Sequence, residues 1–219
     1  MKYILLTALL LAPLAALHAA DAPVSHRVLC TDYKGNRVVI LSAKGEIEWE
    51  FPAKTPQDCW LLPNGNVLFS QITGAAEVTM DKKVVELDAD GAQLREVAFD
   101  GQPGAVVKLP NGHLIVSLWD KTSIVELDEN LKTVWQIAEN EIPGNPLRIP
   151  MGIHRLPNGN TVIGNYIGHG FEGKQPMVFE VTRDKKVVWE FADHARFKTV
   201  CQMQVLDVPA DATKGEVLR

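Results

Sequence analysis

The residues best suited to chemistry are few and lie in two short segments. His169 sits in Gly168-His169-Gly170-Phe171-Glu172-Gly173, and His194 and Arg196 share Ala192-Asp193-His194-Ala195-Arg196-Phe197. An imidazole moves protons near neutral pH and a guanidinium holds anions, so together they could serve acid–base or anion-binding chemistry. The glycines around His169 would let a ligand approach the backbone. His154 reads differently. Its positions in the sister repeats are Trp60 and Val107, which makes it a packing position and a core histidine. His113 follows an Asn-Gly pair and is expected to face solvent.

Cys59 follows Asp58, and a neighbouring carboxylate raises a thiol pKa and so opposes thiolate formation. A buried or paired cysteine is expected there. With Cys30 and Cys201 it makes three cysteines, enough for one bridge within the chain, and the spacing leaves the pairing open. No Cys-x-x-Cys, His-x-His or aspartate-rich calcium loop occurs, so no metal is expected. Gly-x-Ser-x-Gly, Walker and dinucleotide-binding glycine patterns are also missing from the sequence.

The elements that must position these groups come from a repeat. Leu62-Pro63-Asn64-Gly65-Asn66, Leu109-Pro110-Asn111-Gly112-His113 and Leu156-Pro157-Asn158-Gly159-Asn160 place their prolines 47 residues apart, twice. Asn-Gly between apolar runs predicts a hairpin with a type I′ turn. A second hairpin follows each of these and also opens the mature chain. Val38–Leu41 leads to Trp49, Val84–Leu87 to Arg95, Ile124–Leu127 to Trp135 and Val178–Val181 to Trp189, always with an eight-residue step.

Two hairpins per period make a four-stranded antiparallel module, and the period is that of a propeller blade. Glu46-Ile47-Glu48-Trp49-Glu50-Phe51 alternates with period two, which argues against helical repeats. The fold class is therefore all-β: a β-propeller of four-stranded antiparallel blades, four in number, with five as the alternative count. The first blade lacks its innermost strand. Val200–Leu206 is expected to fill that place, closing the ring with strands from both termini and covering an edge; Glu216–Leu218 would be a spare strand.

Composition sets the wider limits. Of 219 residues, 27 are acidic and 22 basic, so the chain lacks the positive excess that nucleic acid requires. Apolar residues form 46%, enough for a packed core. Met1-Lys2-Tyr3, an apolar run from Ile4 to Leu17 and His18-Ala19-Ala20 match a secretory signal peptide over residues 1–20. A single domain over 21–219, periplasmic or secreted, is expected. No later apolar run is long enough for a membrane-spanning helix, so none is expected after signal cleavage.

With the strands placed, the repeat resembles that of PQQ-like, or quinoprotein-type, β-propellers, whose blades end in an aspartate/glycine turn followed by a strand tryptophan. Ala43-Lys44-Gly45 through Trp49, Asp128-Glu129-Asn130 through Trp135 and Asp184-Lys185-Lys186 through Trp189 carry this resemblance. The Leu-Pro-Asn-Gly-Asn hairpins resemble those of secreted arylsulfotransferase-like propellers. The PQQ-like family stacks its quinone against adjacent cysteines; here the cysteines are never adjacent, and no cofactor is carried over.

Longer connections gather on one face. The second-to-third strand loops of the repeats beginning at Asp58 and Met151 exceed that of the repeat beginning at Ala105 by seven residues. Asp58, Gln71, Trp119, Asn165, Tyr166, His169, His194, Arg196 and Gln202 are expected to surround the channel mouth there, with Trp119 and Tyr166 as stacking platforms or inter-blade packing. Such a rim suits a small polar ligand or a protein partner. The alternative, an arylsulfotransferase-like or other propeller enzyme, would use His169, His194 and Arg196.

Overall fold

A computed structural model describes residues 25–61, 65, 67–71, 82–87 and 93–207. The segment read as a signal peptide and Glu216–Leu218 lie outside the described residues. The strands are β1 (Val28–Asp32), β2 (Arg37–Leu41), β3 (Ile47–Pro52), β4 (Pro56–Leu61), β5 (Val67–Gln71), β6 (Lys83–Leu87), β7 (Gln93–Ala98) and β8 (Pro103–Lys108). They continue as β9 (Leu114–Leu118), β10 (Ser123–Leu127), β11 (Thr133–Ile137), β12 (Ile149–Arg155), β13 (Thr161–Tyr166), β14 (Val178–Val181), β15 (Val187–Phe191) and β16 (Val200–Val205). No described helix is long and apolar enough to cross a membrane.

The last strand joins the first sheet. β16 pairs with β1 antiparallel, Val28 facing Val205 and Asp32 facing Val200, so the first blade reads β16-β1-β2-β3. β8 to β11 and β12 to β15 form two further four-stranded blades, and among the described residues β4-β5 and β6-β7 are two separate two-stranded hairpins in the place of the remaining one. The innermost strands β4, β16, β12 and β8 pack in that sequence. This is a four-bladed β-propeller closed by strands from both chain ends.

Apolar side chains between blades form the core. Val28, Cys30, Val39, Met203 and Val205 of blade one meet Val162, Met177 and Val178 of blade four, with Phe197 from the link between them. Ile115, Ile124 and Ile137 of blade three meet Ile153, Ile163 and Phe179 of blade four. The innermost strands come close where side chains are missing: a Cβ on Gly104 of β8 would lie 3.2 Å from the carbonyl oxygen of Pro150 on β12, and one on Gly152 of β12 would lie 2.5 Å from Gln202 Oε1 on β16.

The first hairpin turns differ from the type I′ expectation. In Leu109–His113, Gly112 N donates to Leu109 O and Leu109 N to His113 O, and only Gly112 has positive φ. Leu156–Asn160 repeats this with Gly159. Proline at the first central position locks φ near −65°, which forbids type I′; the turn is type I followed by a left-handed glycine.

Buried carboxylates tie blade to blade. Glu126 on β10 accepts from His113 Nδ1 at 2.9 Å and Arg155 at 2.9 Å, and also pairs with Arg183. His113 is thus part of an inter-blade cluster and only a quarter exposed, contrary to its reading as a solvent-facing residue, because Glu126 stands beside its turn. Glu180 on β14 plays the same part, accepting from Asn160 at 2.5 Å and contacting His26 Nε2 at 2.9 Å. His154 is buried, as its register implies.

Candidate rim site

Strands alternate in direction, so the second-to-third strand loops and the links between blades leave the sheets at one end. Asp32, fully buried at the end of β1, organises this rim. Its Oδ1 accepts from the backbone N–H groups of Gly35, Lys198 and Thr199 at 3.0–3.2 Å, while Oδ2 takes Arg37 Nε at 3.2 Å. Tyr33 N donates to Thr199 O at 2.8 Å. The β1–β2 turn and the link 192–199 are thereby fastened together.

The loop after β13 docks against them. Glu172 pairs with Lys34 and also accepts from Gly170 N at 2.8 Å. The Lys34 ammonium and these N–H donors hold the Glu172 carboxyl down at about 2, and the same pairing raises Lys34. Arg148 lies 5.0 Å from the centre of the Phe171 ring. Between loop, turn and link lies a cleft of about 490 Å³ lined by Lys34, Glu172, Gly173, His194, Phe197 and Lys198.

The residues proposed from the sequence fall into distinct settings. His194 lines the cleft; its Nδ1 is buried and has no hydrogen-bond partner among the described residues. His169 is exposed at φ 58°, with its ring 5.7 Å from that of Tyr166. Tyr166 stands edge-on to Tyr33 at 5.9 Å, and burial pushes its hydroxyl pKa up. Arg196 is held by Asp193 Oδ2 at 2.5 Å and the carbonyl of Gly45 at 2.6 Å. Among the described residues no hydrogen bond joins His169, His194 and Arg196.

Asn165 is fully buried and its amide is spent on the fold. Nδ2 donates to Pro146 O and Pro176 O, and Oδ1 accepts from Arg148 N. Trp119 opens a 3-10 turn over Trp119–Lys121, and its backbone N–H donates to Gln102 O at 3.0 Å. Asp58 and Gln71 lie on β4 and β5, and Gln71 faces Pro56. Gln202 is buried on the innermost strand β16, with Oε1 lacking a partner among the described residues.

Lys34, Glu172 and Lys198 are the cleft residues that sequence reasoning missed. Glu172 stands inside the glycine-rich loop already singled out, but nothing local shows that Lys34 is its partner. The three cysteines are free and buried, and burial pushes the thiols of Cys30 and Cys201 up to about 12. Neither is a nucleophile at neutral pH.

No known protein family and no curated protein matches the chain. Among solved structures, a protein of unknown function from Bacteroides caccae aligns with a TM-score of 0.65 at 20% identity, over 82% of this chain and 98% of that one. That likeness shows the fold alone. Virginiamycin B lyase from Staphylococcus aureus aligns at 17% identity and a TM-score of 0.37, over 77% of this chain and 53% of the lyase. BamB from Moraxella catarrhalis aligns at 20% and 0.31, over 77% and 46%. This chain therefore spans about half the length of those two proteins.

Proposed function

We propose that this protein is an exported binding module, PQQ-like in its blade repeats, that takes a small polar ligand at the rim between blades one and four. The carrying observation is the cleft itself. Three segments distant in sequence converge on it, bringing two ammonium groups, one carboxylate and an imidazole with a buried, unpartnered nitrogen. Lys198 and Lys34 offer charge to an acidic group, and Lys34 can exchange Glu172 for a ligand oxygen because that pair is exposed and cheaply broken. His194 supplies a directional polar contact beside Phe197.

An arylsulfotransferase-like reaction would need His169, His194 and Arg196 around one reacting centre. Arg196 is held by Asp193 and the Gly45 carbonyl, and no hydrogen bond among the described residues joins the three, which favours binding over catalysis. The test is a thermal-shift screen of the mature protein against sugars, sugar acids, aryl sulfates, quinones and divalent metals, since a ligand that binds only the folded state raises Tm. An acidic polar compound should raise Tm, and a Lys34→Ala/Lys198→Ala variant should lose that shift while keeping its own melting profile. Stabilisation that survives in the variant would refute the cleft. A response to none of the compounds would point to a protein partner instead. Export is tested separately, by cell fractionation and N-terminal sequencing; a chain found only in the cytoplasm and still beginning at Met1 would count against it.

A further inference from the structure

A repeated position marks a second site, away from the rim cleft. Across the outer strand pairs Trp135 faces Glu126 and Trp189 faces Glu180. Trp135 is covered by the following blade: the guanidinium groups of Arg155 and Arg183 lie 4.7 and 5.3 Å from its ring centre, and its Nε1–H donates to Arg183 O at 2.8 Å. Both arginines also reach Glu126. Around Trp189, Asn160 takes the part of His113. His26 takes that of Arg155, contacting Glu180 at 2.9 Å and standing edge-on to the indole at 4.9 Å.

The part of Arg183 goes to Ala43. In the β14–β15 turn Thr182 N donates to Lys186 O, Lys185 N to Thr182 O, and Lys185 has φ 64°. The β2–β3 turn has the same bonds, Ser42 N to Glu46 O and Gly45 N to Ser42 O, with Gly45 at φ 77°. The residue after Thr182 is Arg183 and the residue after Ser42 is Ala43. The alanine side chain ends at Cβ, and a cavity of about 170 Å³ opens beside it, walled by His26, Gly45, Trp189, Glu190 and Phe191.

We propose that this cavity binds an alkylguanidinium group, which stacks on Trp189 as Arg183 stacks on Trp135. An indole face attracts a cation, and a guanidinium, being planar and weakly hydrated, suits a slot between rings and backbone. The charges around the slot fit. Glu190 is on its wall, and Glu180 and Asp207 flank His26 at 2.9 and 3.3 Å. Of the nearby cations, Lys44 is on an exposed turn and free to swing away, and Arg196 is held by Asp193 and Gly45 O. The group can come from a free guanidine or from an arginine side chain of a peptide.

The test follows the Trp189 indole N–H in NMR spectra of the isotope-labelled mature chain, assigned by its loss in Trp189→Phe. N-ethylguanidinium should shift this signal saturably, and N-ethylurea, the neutral analogue, should not. An N-acetylated, C-amidated Gly-Arg-Gly peptide distinguishes the sources: binding more than tenfold tighter than N-ethylguanidinium assigns the site to a peptide arginine, and equal or weaker binding to a free guanidine. Ala43→Arg rebuilds the arginine found in the sister blade and should raise Tm and weaken N-ethylguanidinium binding at least tenfold. Ala43→Met fills the space without charge and should weaken it equally, which keeps the test valid if Ala43→Arg fails to fold. No shift with N-ethylguanidinium, an equal shift with N-ethylurea, or undiminished binding in the filled variants would overturn the proposal.

Discussion

Glu126 and Trp135 face each other across β10 and β11, and both are reached by Arg155 and Arg183 from the next blade. The side chain of Arg155 is 8% exposed and that of Glu126 4%. Replacing the carboxylate therefore strands a buried guanidinium, and such losses cost about 3–5 kcal/mol. Glu126→Ala should lower stability by about 3 kcal/mol in urea denaturation. A change under about 0.5 kcal/mol, typical of a surface substitution, would mean the cluster contributes nothing.

The same carboxyl predicts an acid limb. Burial pushes the Glu126 pKa up, but the His113 hydrogen bond and the charges of Arg155 and Arg183 outweigh it, and the net shift is downward. A carboxyl lowered on folding adds stability that is complete above its unfolded value, about 4.3, and is lost as pH falls through its folded value. Glu126→Gln should therefore show a shallower loss of stability below pH about 4 than the wild type. Parallel curves in equilibrium unfolding across pH 2–7 would count against this assignment.

Burial should make the thiols inert. Cys30, Cys59 and Cys201 are at most 3% exposed, and two of them are pushed up to about 12. Ellman's reagent should find no reactive thiol in the native protein at pH 8 and three in denaturant. Rapid native labelling at any of them would contradict the packing of β1, β4 and β16.

Gly168 keeps the rim in shape. A Cβ there would meet the Tyr166 ring at 2.4–2.5 Å, too close for any side chain. Gly168→Ala should drive Tyr166 off Tyr33 and loosen the loop that carries Glu172, while the blades keep most of their stability. Hydrogen exchange should quicken in residues 167–176 and ligand-induced stabilisation at the rim cleft should fall. An unchanged exchange pattern would show that the loop does not depend on this contact.

Strand identity, blade grouping and ring closure were legible because each rests on local signals. Alternation along Glu46–Phe51 fixes a strand, and the 47-residue return of Pro-Asn-Gly fixes a repeat. The missing inner strand of blade one demands a partner, and Val200–Leu206 was the available run. The type I′ expectation rests on Asn-Gly alone and fails because the proline before it fixes φ at about −65°. Glu126 and Glu180 recur in the repeat, but recurrence alone does not say that His113, His26 or two arginines will converge on them.

The sequence by itself determined the wheel: where the chain turns, which runs pair, and how its two ends meet. Only the tertiary structure decided what the rim and the blade interfaces present. Lys34 and Glu172 are 138 residues apart, His26 and Glu180 154, and Ala43 matters only because it lines one cavity with Trp189 of another blade. Turns and alternation are set by neighbours in the chain. A site between blades is set by side chains that meet only once the ring has closed.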